Sequence, residues 1–233
     1  MKINIYQMLE GAKSARGMTV IIDVFRAMTV ETYLMKNNAA KIIPVGDVEE
    51  AFAYRDAHPD AILCGERDGI MIEGFDFGNS PSQVENVDFS GKTVVHTTSA
   101  GTQGFANAVG ADEIIAGSLV SASAIAEYIR RKNPDEVSLV AMGLAAKRPT
   151  DEDTLAAEYI KSILEGAPLS DLDARIARLA ETDGAKFFNP KMSHVFPTRD
   201  FELSTAVDTC PFILRLMRGV ENGLDRMERI DVL

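Results

Sequence analysis

The sequence predicts an α/β/α layered sandwich with a largely parallel sheet and a more helical C-terminal third. Short, nearly continuous apolar runs recur along the first two thirds of the 233 residues, as strands buried on both faces of a parallel sheet require. Longer stretches with helical spacing lie between them, and strand–helix alternation of this kind builds layered α/β domains. Hydrophobic residues make up 46% and charged residues 25% of the chain, an ordinary globular mix that can fill a sizeable core.

The strands are expected at "TVIIDVF" (19–25), "AKIIPVG" (40–46), "AILCG" (61–65), "KTVVHTT" (92–98), "DEIIAGS" (112–118) and "EVSLVAMG" (136–143). "RAMTVETYLMKNN", "DVEEAFAYRDAH", "GTQGFANAVG", "SASAIAEYIRRKN" and "DEDTLAAEYIKSILEG" read as the intervening helices. Several of these open on Asp or Ser caps and close near Gly or Asn. The pattern then changes. "DLDARIARLAETDG" and "TAVDTCPFILRLMRGVENGLDRMERIDVL" read as helices, the second broken by Pro211 and Gly219. The segment between them, "AKFFNPKMSHVFPTRDFEL", is irregular and rich in aromatics and prolines. Residues 1–233 read as one domain, with two lobes at about 1–165 and 166–233 as the alternative. Apolar residues in "PFILRLM" exceed what one helix face needs, which suggests a homodimer.

Charge and cysteine usage exclude several classes. A net charge of −11 repels duplex nucleic acid and anionic membranes on average. An anionic substrate therefore needs a site that is locally positive or holds a cation. Cys64 and Cys210 show neither C-x-x-C nor zinc spacing, which fits a reduced, cytoplasmic protein. The N-terminal stretch lacks the apolar run of a signal peptide, and no stretch has the roughly 18 apolar residues a membrane helix needs.

Ligands of parallel α/β sheets gather at the carboxyl ends of the strands. In "IIDVFRAMT", Asp23 sits at such an end with Arg26 three positions on. The pair can bind a metal and clamp an anion, or can cap a helix and sit in a surface salt bridge. "VVHTTSAGT" offers the hydroxyls of Thr97, Thr98, Ser99 and Thr102, and Gly101 lets the backbone approach an oxyanion. The same residues would also make an ordinary N-cap. "RPTDEDTLAAEYI" places Asp151, Glu152 and Asp153 in a first helical turn, either complementing the helix dipole or turning one or two acids toward a metal. "GERDGIMIEGFDFGNSP" holds Glu66, Arg67 and Asp76 among apolar neighbours, although its turn residues also fit a hairpin. Carboxylates and hydroxyls without a Cys/His cluster indicate a hard cation, Mg²⁺ or Mn²⁺, and phosphate-ester chemistry. His96 reads as a core residue, His58 as solvated, His194 as a lesser candidate to cover the site, and Cys64 as a small buried hydrophobe. Phe187, Phe188 and Phe196 are expected to pack the irregular segment against the sheet.

The series "IDVFRAMT", "GERDGIMIEGFDFGNSP", "VVHTTSAGT", "GSLVSASAIAEYI" and "TDEDTLAAEYI", in this order, resembles the 2-phosphosulfolactate phosphatase family over nearly the whole chain, weakening after about residue 165. The resemblance implies Mg²⁺-dependent hydrolysis of 2-phospho-3-sulfolactate, a step toward coenzyme M, on an α/β fold. It also implies that Asp23, Arg26, Glu66, Arg67, Asp76, Asn79, Ser80, Thr97, Thr98, Gly101 and Asp153 line the site. Three positions depart from the family pattern. Ala100 replaces an amide residue, Met28 a threonine, and Glu158 a small residue in the helix after the acidic cluster.

The expected chemistry is metal-assisted hydrolysis of a small phosphorylated acid. Mg²⁺ would be held by some of Asp23, Glu66, Asp76 and Asp153, and Arg26 and Arg67 would clamp the anionic groups. The nucleophile is either water or an aspartate, with Asp23 the better aspartate. A phosphatase for a different small phosphorylated acid and a non-catalytic anion binder are the alternatives.

Overall fold

The protein is described by a computed structural model covering residues 1–233. Its strands are β1 (Lys2–Gln7), β2 (Gly17–Ile22), β3 (Lys41–Pro44), β4 (Ile62–Arg67), β5 (Ile70–Met71), β6 (Thr93–Thr97), β7 (Ala111–Gly117), β8 (Glu136–Ala141), β9 (Phe212–Glu221) and β10 (Leu224–Asp231). Its α-helices are α1 (Met8–Ser14), α2 (Ala27–Lys36), α3 (Val48–Ala57), α4 (Pro81–Val84), α5 (Gly101–Asn107), α6 (Ala122–Lys132), α7 (Asp151–Glu165), α8 (Leu172–Leu179) and α9 (Thr198–Ser204). The six strands expected from continuous apolar runs all form, with ends shifted by up to three residues.

All ten strands join one sheet in the order β1-β8-β2-β7-β9-β10-β3-β6-β4-β5. The sheet has two parallel parts, β1-β8-β2-β7 and β3-β6-β4. Between them lies the antiparallel β9–β10 hairpin, which pairs antiparallel with β7 on one side and β3 on the other. Polarity thus reverses three times across the hairpin. In a flat sheet the carboxyl ends of the two parallel parts would then lie at opposite edges, yet residues from both sets of ends line one cavity. The sheet must therefore curl. The joins are thin where it turns, with two residue pairs between β7 and β9 and only Met227↔Ile42 between β10 and β3.

Helix α2 occupies the inside of that curl. Residues 27–35 of this ten-residue helix are all buried, as expected of a helix with neighbours all round rather than an amphipathic surface helix. Its Met28, Val30 and Leu34 share one core cluster with Ile21 and Val94 from the two sheet parts, Phe105 of α5, and Phe212 and Met227 of the hairpin. On the opposite face, α6 and α7 cover β2, β7 and β8 through Ile125, Ile129, Ala156 and Ile160. Helix α3 covers β3, β4 and β6 through Ala51 and Tyr54.

The helix expected over 205–233 does not form. Residues 212–231 make the β9–β10 hairpin instead, although α8, α9 and two short 3₁₀ turns keep the region before it helical. Asn222 and Gly223, with φ of 54° and 91°, form its turn, the backbone a two-residue hairpin loop needs. The apolar surplus of "PFILRLM" has the same origin. Phe212, Ile213, Leu214 and Leu216 are buried in mid-sheet, so the surplus does not mark a dimer surface. No helix is long and apolar enough to cross a membrane, and both cysteines are free and buried.

Candidate active site

A cavity of about 380 Å³ opens where the carboxyl ends of β2, β8, β4 and β6 converge, a size suited to a small ligand. The strand ends supply most of its wall. Asp23 and Arg26 come after β2, Gly143 and Leu144 after β8, Glu66 from the end of β4, and Ser99 and Ala100 after β6. The start of α7 adds Thr150, Glu152 and Asp153. Lys186 and Phe196 arrive from the irregular segment, which covers the mouth.

Asp23 is buried, and its Oδ1 accepts the Ala27 N–H at 3.1 Å. Burial pushes its carboxyl up to about 6, aided by the nearby Glu66 charge and opposed by the Ala27 hydrogen bond. Glu66, also buried, accepts the Ser99 N–H at 2.6 Å, the Ser99 hydroxyl at 3.1 Å and the Gly69 N–H at 2.6 Å. One carboxylate thereby fixes the loop after β6 to the β4–β5 turn. Gly69 has φ +82°, and a Cβ there would meet Phe196 Cζ at 2.6 Å, so only glycine lets the covering aromatic close down.

The α7 acids divide their roles. Asp151 is exposed and does not line the cavity. Asp153 is buried and accepts the Val24 N–H at 2.7 Å and the Gly143 N–H at 2.8 Å, tying the ends of β2 and β8 together. Burial, then the charges of Glu152 and Asp23, raise its carboxyl well above the usual range. Burial pushes Glu152 up to about 7, against the opposing effect of Lys186. Its Oε2 and the Thr150 hydroxyl are buried without a hydrogen-bond partner.

Arg26 is in place but already engaged. It donates to Asp200 Oδ2 at 2.7 Å, to the Val195 carbonyl at 2.9 Å and to the Gly69 carbonyl at 3.2 Å, and lies over the Phe196 ring. Asn79 lines the cavity, with its Oδ1 3.4 Å from His96 Nε2. His96 is fully buried, as the sequence indicated, and its Nδ1 lies 2.9 Å from Glu31 of α2.

The remaining expected residues lie elsewhere. Arg67 turns away from the cavity to the Glu66 and Gly46 carbonyls and the Thr97 hydroxyl. Asp76 is exposed, where it accepts the Leu63 N–H at 2.8 Å and pairs with Arg55 at 3.1 Å. Ser80 donates to Asp200 at 2.8 Å beneath the covering segment. Thr98 and Thr102 cap each other reciprocally, each hydroxyl accepting the other's N–H. Gly101 is not a lining residue, but it lets α5 press against Asp23, because a Cβ there would lie 3.1 Å from Asp23 Oδ2. Of the three departures, Ala100 lines the cavity, Met28 packs against Gly101, and Glu158 pairs with Arg175 of α8 at 2.5 Å. His58 stacks on Tyr54 at the surface, and His194 is exposed outside the cavity.

Lys186 and the lining role of Asp68 were not expected. "GAKFFNP" has no periodicity, and the only signal there is a lysine followed by two phenylalanines.

The family model of 2-phosphosulpholactate phosphatase matches residues 3–199, spanning every element that builds this cavity. The chain belongs to that family. Members of the 2-phosphosulpholactate phosphatase family are phosphoric monoester hydrolases, and this chain is a phosphatase by that membership. It is 28% identical over 222 residues to a probable 2-phosphosulfolactate phosphatase of Bacillus subtilis, covering 95% of this chain and 96% of the relative. It is 38% identical over 165 residues to one from Carboxydothermus hydrogenoformans, covering 70% and 68%. A third, from Clostridium acetobutylicum, is 35% identical over 167 residues, covering 71% and 67%.

Proposed function

We propose that the protein uses Mg²⁺ to hydrolyse a small phosphorylated acid, foremost 2-phospho-3-sulfolactate, giving 3-sulfolactate and phosphate on a route to coenzyme M. One observation carries this reading. Asp23, Glu66, Asp68, Glu152 and Asp153 line a cavity whose cations are Arg26 and Lys186, and Arg26 is already paired. An anionic substrate would be repelled from such a cavity unless a cation bound with it.

The donor set suits that cation. It is all oxygen, and Glu152 Oε2 and the neighbouring Thr150 Oγ1 are buried with no hydrogen bond to the rest of the protein. No three His, Cys, Asp or Glu side chains converge into a ready metal cage. Mg²⁺ commonly binds through one or two carboxylates, completed by waters and substrate phosphate. Asp23, Glu66, Glu152 and Asp153 are the residues that would hold it, and when bound it neutralises charge on the phosphoryl oxygens.

The chain's own groups account for the proton transfers. Water adds to phosphorus as the ester O–P bond breaks. Those of the cavity's carboxyl groups that stay off the ion would take the water's proton and return one to the leaving alkoxide. The Asn79 amide and Lys186 face the anion.

Phosphate release from a panel of small phosphorylated acids, with Mg²⁺ and with chelator, tests the reading. Metal-dependent release is expected, and the best substrate names the acid. Folded protein that releases phosphate from none of them would sink the proposal.

A further inference from the structure

Lys186 lies on a single 3₁₀ turn spanning Ala185–Phe188, in the segment that covers the cavity. Its Nζ lies 5.7 Å from the ring centroid of Phe25 and 5.4 Å from those of Phe187 and Phe196. The rings themselves interlock, with Phe187 edge-on to Phe25 at 5.0 Å and to Phe196 at 5.8 Å. Aromatic faces attract an ammonium through their quadrupoles and use none of its N–H groups. The cage therefore fixes the position of the charge and leaves all three donors free.

Nothing in the protein takes those donors. Nζ makes no hydrogen bond, and no carboxylate lies within 4.0 Å of it. Glu152 is the acid whose charge acts on it most strongly. The other cation of the cavity, Arg26, is bonded to Asp200, Val195 and Gly69, and Arg67 faces away from the cavity. Burial also holds the Lys186 ammonium below the usual lysine range. A partly buried cation that lines the cavity with three donors unclaimed by the protein matches an incoming oxyanion.

We propose that Lys186 binds an oxyanion of the bound substrate, either its phosphoryl group or its second acid group. This rests on the reading of the cavity as the substrate site. The covering segment then carries substrate-binding chemistry, while Arg26 holds that segment down.

The test is calorimetric titration, with Mg²⁺ present, of orthophosphate and separately of 3-sulfolactate into wild type, Lys186→Met and Lys186→Arg. Lys186→Met keeps the apolar stem and removes the charge. It is expected to weaken at least one ligand by about tenfold or more, with Lys186→Arg recovering part of the loss. A loss confined to orthophosphate assigns the phosphoryl group, and a loss confined to 3-sulfolactate assigns the acid group. Equal affinities in wild type and Lys186→Met for both ligands, or no binding of either by wild type, overturns the proposal. If Lys186→Met does not fold, amine acetylation of wild type decides, read by peptide mass. Protection of Lys186 by either ligand supports the proposal, and no protection overturns it. Phosphate release by wild type is measured alongside. Release with no Lys186 effect removes only the role of Lys186, and Lys186-dependent binding without release removes only the hydrolytic reading.

Discussion

Arg26 and Asp200, 174 positions apart in sequence, form a 2.7 Å ion pair in which the side chains are 3% and 0% exposed. The other Asp200 oxygen accepts the Ser80 hydroxyl and the Ser82 N–H, at 2.8 and 2.9 Å. One buried carboxylate thus joins the start of α2, the loop before α4 and the segment covering the cavity. Asp200→Asn leaves a buried guanidinium without its counter-charge. It is expected to destabilise the fold by about 3–5 kcal/mol. Urea or guanidinium denaturation measures this, and a change below about 1 kcal/mol would mean that the pair is replaceable by neutral hydrogen bonds.

Glu66 and Asp76 come from the same glycine-rich stretch but end in different places. Glu66→Gln puts an amide where three donors now meet a carboxylate, on the cavity wall. Phosphate release is expected to fall on the order of 100-fold. Asp76→Asn, exposed and outside the cavity, is expected to stay within about threefold of wild type. Steady-state kinetics of the two variants side by side decide whether cavity position separates them. Comparable losses in both would contradict the assignment.

Burial raises Glu152 to about 7 and Asp23 to about 6. The native state therefore binds these protons more tightly than the unfolded chain does. The stabilisation is fully present below the ordinary carboxylate range and is lost as pH rises through 6 to 7. Metal-free protein should melt at a lower temperature at pH 8 than at pH 5.5, and Glu152→Gln should flatten that slope. A slope unchanged in Glu152→Gln would show that Glu152 does not carry the effect.

Gly101 begins α5 where a Cβ would meet Met28 Cε at 2.6 Å, Ala27 Cβ at 2.7 Å and Asp23 Oδ2 at 3.1 Å. The methionine end can swing aside, but the Ala27 Cβ is fixed to backbone. Gly101→Ala should cost about 1–3 kcal/mol of stability, as overpacking does. It should also lower phosphate release by displacing Asp23. Thermal melts and kinetics together test this, and normal values in both would mean that the two helix starts can separate freely.

Six of the seven parallel strands were legible because double-sided burial leaves its mark in residues such as Val20, Ile21 and Ile22, whereas the partly exposed edge strand β1 carries no such run. The hairpin was not legible, because Leu214, Leu216, Met217, Glu221 and Arg226 are good helix formers. Its position in mid-sheet is set by partners far away in sequence. A local signal did exist in Asn222-Gly223, the usual hairpin turn pair. At the cavity, strand-end logic applied to the expected parallel sheet singled out Asp23, Glu66 and Ser99, which line it. It could not tell which side of a strand end a residue takes. Adjacent Glu66 and Arg67 part company for that reason, one into the cavity and one toward Thr97. Lys186 was missed because Phe25 and Glu152, which help to make it special, lie in other segments.

The hairpin at the centre of the sheet also bears on synthesis. β9 and β10 are translated after every other strand, yet they are the only bridge between β7 and β3. Until they leave the ribosome, a nascent chain holds two half-sheets with open edges at β7 and β3, and α2 lacks the contacts of Phe212 and Met227. Open strand edges are templates for association with other chains. Docking of residues 212–231 is thus the step that seals the core, and a chain cut before Phe212 would be prone to aggregate.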